Sequence, residues 1–141
     1  MFWGEYMVIM SSDNKRYVDV GTGDILYSVY STVYVRLHGF RKKVPLAMEF
    51  IEEGKCDCGD AEQTARQFNM IRDELSHVPP DQAVYNLHDL SEKAPWEGRL
   101  SPVITSCANL YTTEDGKDLL FEIVSILCYI SVAGGTVSIL G

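Results

Sequence analysis

Gly21-Thr22-Gly23-Asp24, followed by the hydroxyls of Ser28, Ser31 and Thr32, is the segment whose residue types and spacing come closest to chemistry. Two glycines at a helix start can aim backbone N–H groups at an anion, because the first turn has unpaired donors and the positive end of the dipole. The segment lacks the third glycine of a dinucleotide fingerprint and the Gly-Lys-Ser/Thr of a phosphate loop. Asp24 would also repel a phosphate there, so the sequence reads first as a structural turn, with Gly21 and Gly23 setting backbone geometry and Asp24 capping the helix. Ser28 and Ser31 sit outside any Gly-x-Ser-x-Gly elbow and are expected to hydrogen-bond back to their own helix. His38, His77 and His88 form no His-Glu-x-x-His pair. Cys56-Asp57-Cys58 is too tightly spaced for a zinc pair and has no second pair, while Cys107 and Cys128 are expected to pack as small hydrophobes. No base, orienting group and oxyanion donor come together, so neither a catalytic residue, a metal nor a cofactor is expected.

Charge is the other chemical signal. The chain of 141 residues carries a formal charge of −8, with a pI near 4.7, the wrong sign for gripping a phosphate backbone. Nucleic acid is therefore excluded as the expected partner, and a basic protein is favoured. Glu49, Glu52, Glu53, Asp57, Asp60 and Glu62 fall in one stretch against Lys55 alone, a local charge of −5. A solvated face and a binding face are equally consistent with such a run.

The elements that must position these groups are those of one domain spanning residues 1–141, a size that buries a continuous core without staples. Residues 2–10 and Arg16–Val20 read as a hairpin around Ser-Ser-Asp-Asn-Lys. Leu26, Val29, Tyr30, Val33, Tyr34 and Leu37 form a helical stripe over residues 24–37, although Ile25, Tyr27, Val29, Val33, Val35 and Leu37 also lie on one face of a strand. Pro45 to Gly54 reads as a short helix with proline in its first turn and glycine as its stop. A longer helix is expected to start at Asp60, capped with Gln63 and burying Ala61, Ala65, Phe68, Ile71 and Leu75, until Pro79-Pro80. Ala83–Leu87 and Ile104–Thr112 are expected as strands, with Trp96 anchoring the loop between them onto the core. Gly116 turns the chain into a last helix with Leu120, Ile123, Val124, Leu127 and Cys128 inside, and Thr136–Leu140 closes the sheet. The expected fold is α+β, a mixed or antiparallel sheet of about five strands packed with three to four helices. No apolar run reaches the roughly 20 residues of a membrane span, and no secretory signal is read, so a cytoplasmic protein with reduced cysteines is expected.

Taken in order, these motifs resemble those of a bacterial polymorphic-toxin immunity family, immunity protein 70. That family carries a Gly-Ser-Gly-Asp-Phe-Leu-His-Ser-Phe-Phe-Ser-Thr segment, matched by Gly21–Thr32. Pro45–Gly54 matches its short proline-started helix, and Ala83-Val84-Tyr85-Asn86 its Val-Ile-Trp-Asp segment. Pro95-Trp96, Ile104-Thr105, Asn109-Leu110-Tyr111, Thr113 and Gly116-Lys117-Asp118-Leu119 follow in register. The chain departs from the pattern at Tyr27 (family His), Asn86 (family Asp) and Glu97, which lies between Trp96 and Gly98.

The resemblance implies a stoichiometric inhibitor rather than an enzyme, kept in the cytoplasm to bind the C-terminal domain of a cognate secreted toxin. Many such toxins are nucleases with basic surfaces, which would place Glu49, Glu52, Glu53, Asp57, Asp60 and Glu62 at the interface and make Tyr30, Tyr34 and Trp96 candidate hot spots. The alternative from the residues themselves is a small-molecule or phosphate-binding domain, with enzymatic activity as one form of it, built on Gly21–Asp24. Oligomeric state is left open.

Overall fold

In a computed structural model, which describes residues 5–141, two layers form around one apolar core: a sheet and the helices that cover one of its faces. β1 (Tyr6–Ser11) and β2 (Tyr17–Thr22) make the expected hairpin, and β4 (Thr136–Leu140) and β3 (Lys55–Asp57) complete an antiparallel sheet of order β2-β1-β4-β3. Residues 2–4 of the first expected strand lie outside the described residues. The helices are α1 (Asp24–Arg36), α2 (Pro45–Glu53), α3 (Cys58–Leu75) and α4 (Leu119–Ala133), with short 3-10 turns at Phe40–Lys43 and Pro80–Gln82. The class is α+β, with four strands among the described residues instead of about five.

Alternation decides which face of the sheet is covered. Met7, Ile9 and Ser11 of β1, Val18 and Val20 of β2, and Val137 and Ile139 of β4 are buried, with more exposed residues between them, the pattern of a sheet wet on one side. The register shifts between Met7 and Val8, leaving Val20 as the extra residue before Gly21. Gly21 has φ +83°, and a Cβ there would lie 2.6 Å from Glu114 Oε2, so both conformation and space favour glycine. Gly23 is different: at φ −67° it holds ordinary helical backbone and needs no glycine for its geometry.

α1 resolves the ambiguity of residues 24–37 in favour of helix. Leu26, Val29, Val33 and Leu37 are buried, Tyr30 is half-buried and Tyr34 exposed. Its N-cap is Gly23, so Asp24 stands inside the first turn rather than capping it. α2 begins with Pro45 and ends on Gly54 in the left-handed region at φ 77°. Its first N–H groups are satisfied from α3, where Gln67 Oε1 accepts from Leu46 N at 2.8 Å and Ala47 N at 3.0 Å. α3 buries Ala61, Ala65, Phe68, Ile71 and Leu75, as the periodicity requires, and Phe68 meets Phe50 of α2 edge-on at 6.1 Å between centroids.

Four local expectations are corrected. Asp60 does not cap α3: the helix starts at Cys58, because β3 delivers the chain to it already and Asp57 takes the cap position without a side-chain bond. Asp60 lies within the first turn, its carbonyl accepting from Thr64 Oγ1 at 2.8 Å. Cys128 and Val124 are not on the buried face of α4, where Cys128 is exposed and Val124 half-buried. Ala83–Leu87 is not a strand, because hydroxyls of α1 take up its backbone groups, as described below. Ile104–Thr112 is not a strand either. Asn109 Oδ1 accepts from Thr105 N at 3.1 Å and Ser106 N at 3.2 Å, so side-chain turn chemistry replaces a ladder, and only Thr112 makes an isolated bridge, to Asp118. Conversely, Lys55–Asp57 is a strand where a connecting loop was expected. Cys56, buried between two exposed residues, pairs with Val137, and Ile139 N donating to Gly54 O at 2.8 Å prolongs the pairing.

Candidate functional site

The hydroxyl segment of α1 does not open onto solvent. Ser28, Ser31 and Thr32 are fully buried and face the long irregular segment between α3 and α4. Ser28 Oγ donates to Val84 O at 2.8 Å, and Val84 N donates to Thr32 Oγ1 at 2.9 Å. Ser31 Oγ accepts from Leu87 N at 3.3 Å. The Tyr111 hydroxyl lies 3.0 Å from both Ser28 Oγ and Thr32 Oγ1. The expected bonding of Ser28 and Ser31 back to their own helix is therefore replaced by bonding across to a distant loop, since a buried loop backbone needs partners that no ladder supplies. Trp96 packs edge-on against Tyr85 at 5.8 Å and Tyr111 at 6.2 Å, so three rings lie over this polar node. Burial raises the Tyr111 hydroxyl above its ordinary range, and the node holds neutral groups rather than a nucleophile and its base.

The glycine turn is similarly occupied. Asp24 accepts from Thr22 Oγ1 at 2.5 Å and from the Tyr85 hydroxyl, and Gly23 N donates to Glu5 O at 2.9 Å. With Glu114 against Gly21 and Asp24 one turn on, two carboxylates stand where a phosphate would have to sit. Gly116, at φ +83°, supports the tight turn in which Lys117 N donates to Thr113 Oγ1 at 2.9 Å. Among the described residues no group of three or more His, Cys, Asp or Glu could hold a metal ion.

The acidic run lies at the surface. Glu49, Glu52 and Glu53 on α2, Asp57 on β3, and Asp60 and Glu62 in the first turn of α3 are all exposed. Glu62 pairs with Arg66 at 2.7 Å, a fully solvated i,i+4 pair of little energetic weight. Among the described residues Glu49, Glu52, Glu53, Asp57 and Asp60 form no salt bridge, so most of the charge is uncompensated.

Beside this run lies a feature that sequence reading did not locate. Tyr30 and Tyr34, one turn apart on α1, stack at 6.2 Å, and the Arg41 guanidinium sits 3.8 Å from the Tyr34 ring centroid. The Tyr30 hydroxyl donates to Glu52. Burial first, then that carboxylate, push its pKa up to about 12. Tyr30, Arg41 and Glu52, together with Pro45, Met48, Glu49 and Glu53, line an open cleft of about 420 Å³. The i,i+4 spacing of the tyrosines was visible in the sequence, but the approach of Arg41 depends on the 3-10 turn that folds it back.

A family model described as immunity protein 70 matches residues 9–139. No curated protein and no solved structure gave a significant match. The match covers nearly the whole chain, includes the hydroxyl segment, the loop it holds and the acidic run, and bears out the resemblance read from the motifs. The chain belongs to the immunity protein 70 family.

Proposed function

We propose that this protein neutralises a cognate secreted bacterial toxin by binding its C-terminal domain one to one, with no chemical step of its own. The observation that carries the proposal, beyond the family, is the uncompensated exposed run from Glu49 to Glu62, adjoining the Tyr30–Tyr34–Arg41 cluster. Aromatic and arginine side chains supply binding energy at protein interfaces, and a surrounding field of one sign speeds encounter with the opposite sign. The toxin domain is thus basic, a nuclease being the class whose substrate track an acidic inhibitor would occupy. Such a protein acts in the cytoplasm of the producing cell, where an incoming toxin from a sister cell would meet it, and among the described residues no helix is long and apolar enough to cross a membrane.

Co-expression with the product of the adjacent toxin gene is expected to restore growth and yield a stable complex; continued killing despite well-folded protein would overturn the proposal. Replacing Glu52, Glu53 and Asp57 by lysine is expected to slow association about tenfold or more and to flatten its salt dependence. Unchanged association kinetics would move the interface elsewhere.

A further inference from the structure

The two edges of the sheet differ. In the order β2-β1-β4-β3 the outer strands are β2 and β3, and the loop before α4 lies along β2, with Glu114 N donating to Asp19 O at 2.9 Å. Among the described residues β3 has no such cover. Ile139 N donates to Gly54 O at 2.8 Å and Cys58 N donates to Gly135 O at 2.9 Å. Cys56, two residues from each and paired with Val137, therefore turns its backbone N–H and C=O towards β4. Alternation points the N–H and C=O of Lys55, and the N–H of Asp57, the other way, out of the sheet. None of these outward groups has a hydrogen-bond partner among the described residues. The Asp57 carbonyl, at the N-cap, belongs to α3.

We propose that this edge receives an extended, basic segment of the toxin domain, which adds a fifth strand to the four-stranded sheet beside β3. Outward backbone groups at a strand's own spacing are matched by another extended backbone. The flanking side chains set the sign of the partner. Glu53, Asp57 and Asp60 are exposed and form no salt bridge among the described residues, and Lys55 is the one cation between them. Shortness and charge normally protect an edge from indiscriminate pairing. A second copy of this chain, at −8, is repelled from the edge, whereas a strand with Lys or Arg opposite Asp57 gains by pairing. With only three residues in β3, the edge fixes the direction and register of the toxin segment. The Tyr30–Tyr34–Arg41 cluster beside the acidic run supplies the larger share of the affinity.

This binding mode rests on the toxin-inhibitor reading above, and two variants at one position separate the two. Asp57→Ala removes the charge and keeps the outward N–H. Asp57→Pro removes the N–H as well and sets a ring in the path of the added strand. The position accommodates proline: φ is −82°, the side chain makes no cap bond, Cys56 before it is in a strand, and the lost N–H serves no ladder bond. Calorimetric titration with the toxin product of the adjacent gene is expected to show Asp57→Ala weakening binding about threefold. Asp57→Pro should weaken it at least about tenfold further, with matching circular dichroism. In the wild-type complex, hydrogen exchange followed by NMR should slow at the Lys55 and Asp57 amides at least about tenfold relative to the free chain. If Asp57→Pro lowers the thermal midpoint, the exchange measurement decides alone. Equal affinities for two folded variants, or amides that exchange as fast in the complex as in the free chain, overturn the edge pairing and leave toxin binding standing. Absence of binding by the wild-type chain overturns both.

Discussion

Val84 is held through both of its backbone polar groups by side chains of α1, and this contact gives the hydroxyls of Ser28 and Thr32 their role. Thr32 and Ser28 do for the loop what a neighbouring strand does elsewhere. The consequence is an asymmetry between substitutions at the same node. Thr32→Val leaves the buried Val84 N–H without its acceptor and is expected to cost about 1–3 kcal/mol, whereas Tyr111→Phe leaves Ser28 and Thr32 bonded to Val84 and should cost about 1 kcal/mol. Urea denaturation of the two variants checks the order; equal losses would mean that Tyr111 rather than Val84 organises the node. The two departures from the family pattern at Tyr27 and Asn86 also become intelligible at this scale. They touch each other, the Tyr27 hydroxyl donating to Asn86 Oδ1 at 3.3 Å. Neither this pairing nor the partners of Ser28 could be read from the sequence, because the groups that meet are more than fifty residues apart.

The junction between α3 and α4 shows how elements are tied together. Asp118 caps α4, Oδ1 accepting from Phe121 N at 3.1 Å, while Oδ2 receives Arg72 of α3 at 2.9 Å. One carboxylate thus satisfies a helix end and fixes its neighbour. Asp118→Ala is expected to cost about 1–2 kcal/mol through loss of the cap, and Asp118→Asn, which keeps an acceptor but not the charge, less than about 1 kcal/mol. Thermal or urea unfolding of the pair separates the cap from the ion pair; equal costs would assign the effect to charge. Elements with a strong local signal were legible: α3 through its apolar stripe, α2 between Pro45 and Gly54, and the β1–β2 hairpin. β3 was not, because three residues inside an acidic run carry no usable period, and Lys55–Asp57 becomes a strand only when Val137 arrives beside Cys56. Residues 83–87 erred in the opposite direction, since apolar alternation suits a strand but cannot say whether a partner strand exists.

The whole molecule joins a sheet wet on one side, a helical layer and a long loop into one core, and its tyrosines report on that assembly. Burial, then a neighbouring carboxylate, raise the Tyr30 and Tyr85 hydroxyls from 10.0 to about 12, and burial raises Tyr111 too. A folded pKa above the unfolded one contributes stability that is complete below about pH 10 and is lost as pH rises through about 12. Alkaline titration should therefore show part of the tyrosinate absorbance delayed until ellipticity is lost in that window; full ionisation near pH 10 with the fold intact would refute it. By itself the sequence determined the α+β class, the main helices, the acidity and the family. These rest on periodicity, turn residues and charge, which act within a few positions along the chain. Only the tertiary structure decided that the α1 hydroxyls face a loop and not a ligand, that Arg41 folds onto Tyr34 beside the acidic run, and that β3 forms an edge of the sheet. The first of those outcomes depends on contacts between distant segments, each worth only about 1 kcal/mol, and such contacts form when the rest of the fold has already brought their partners together.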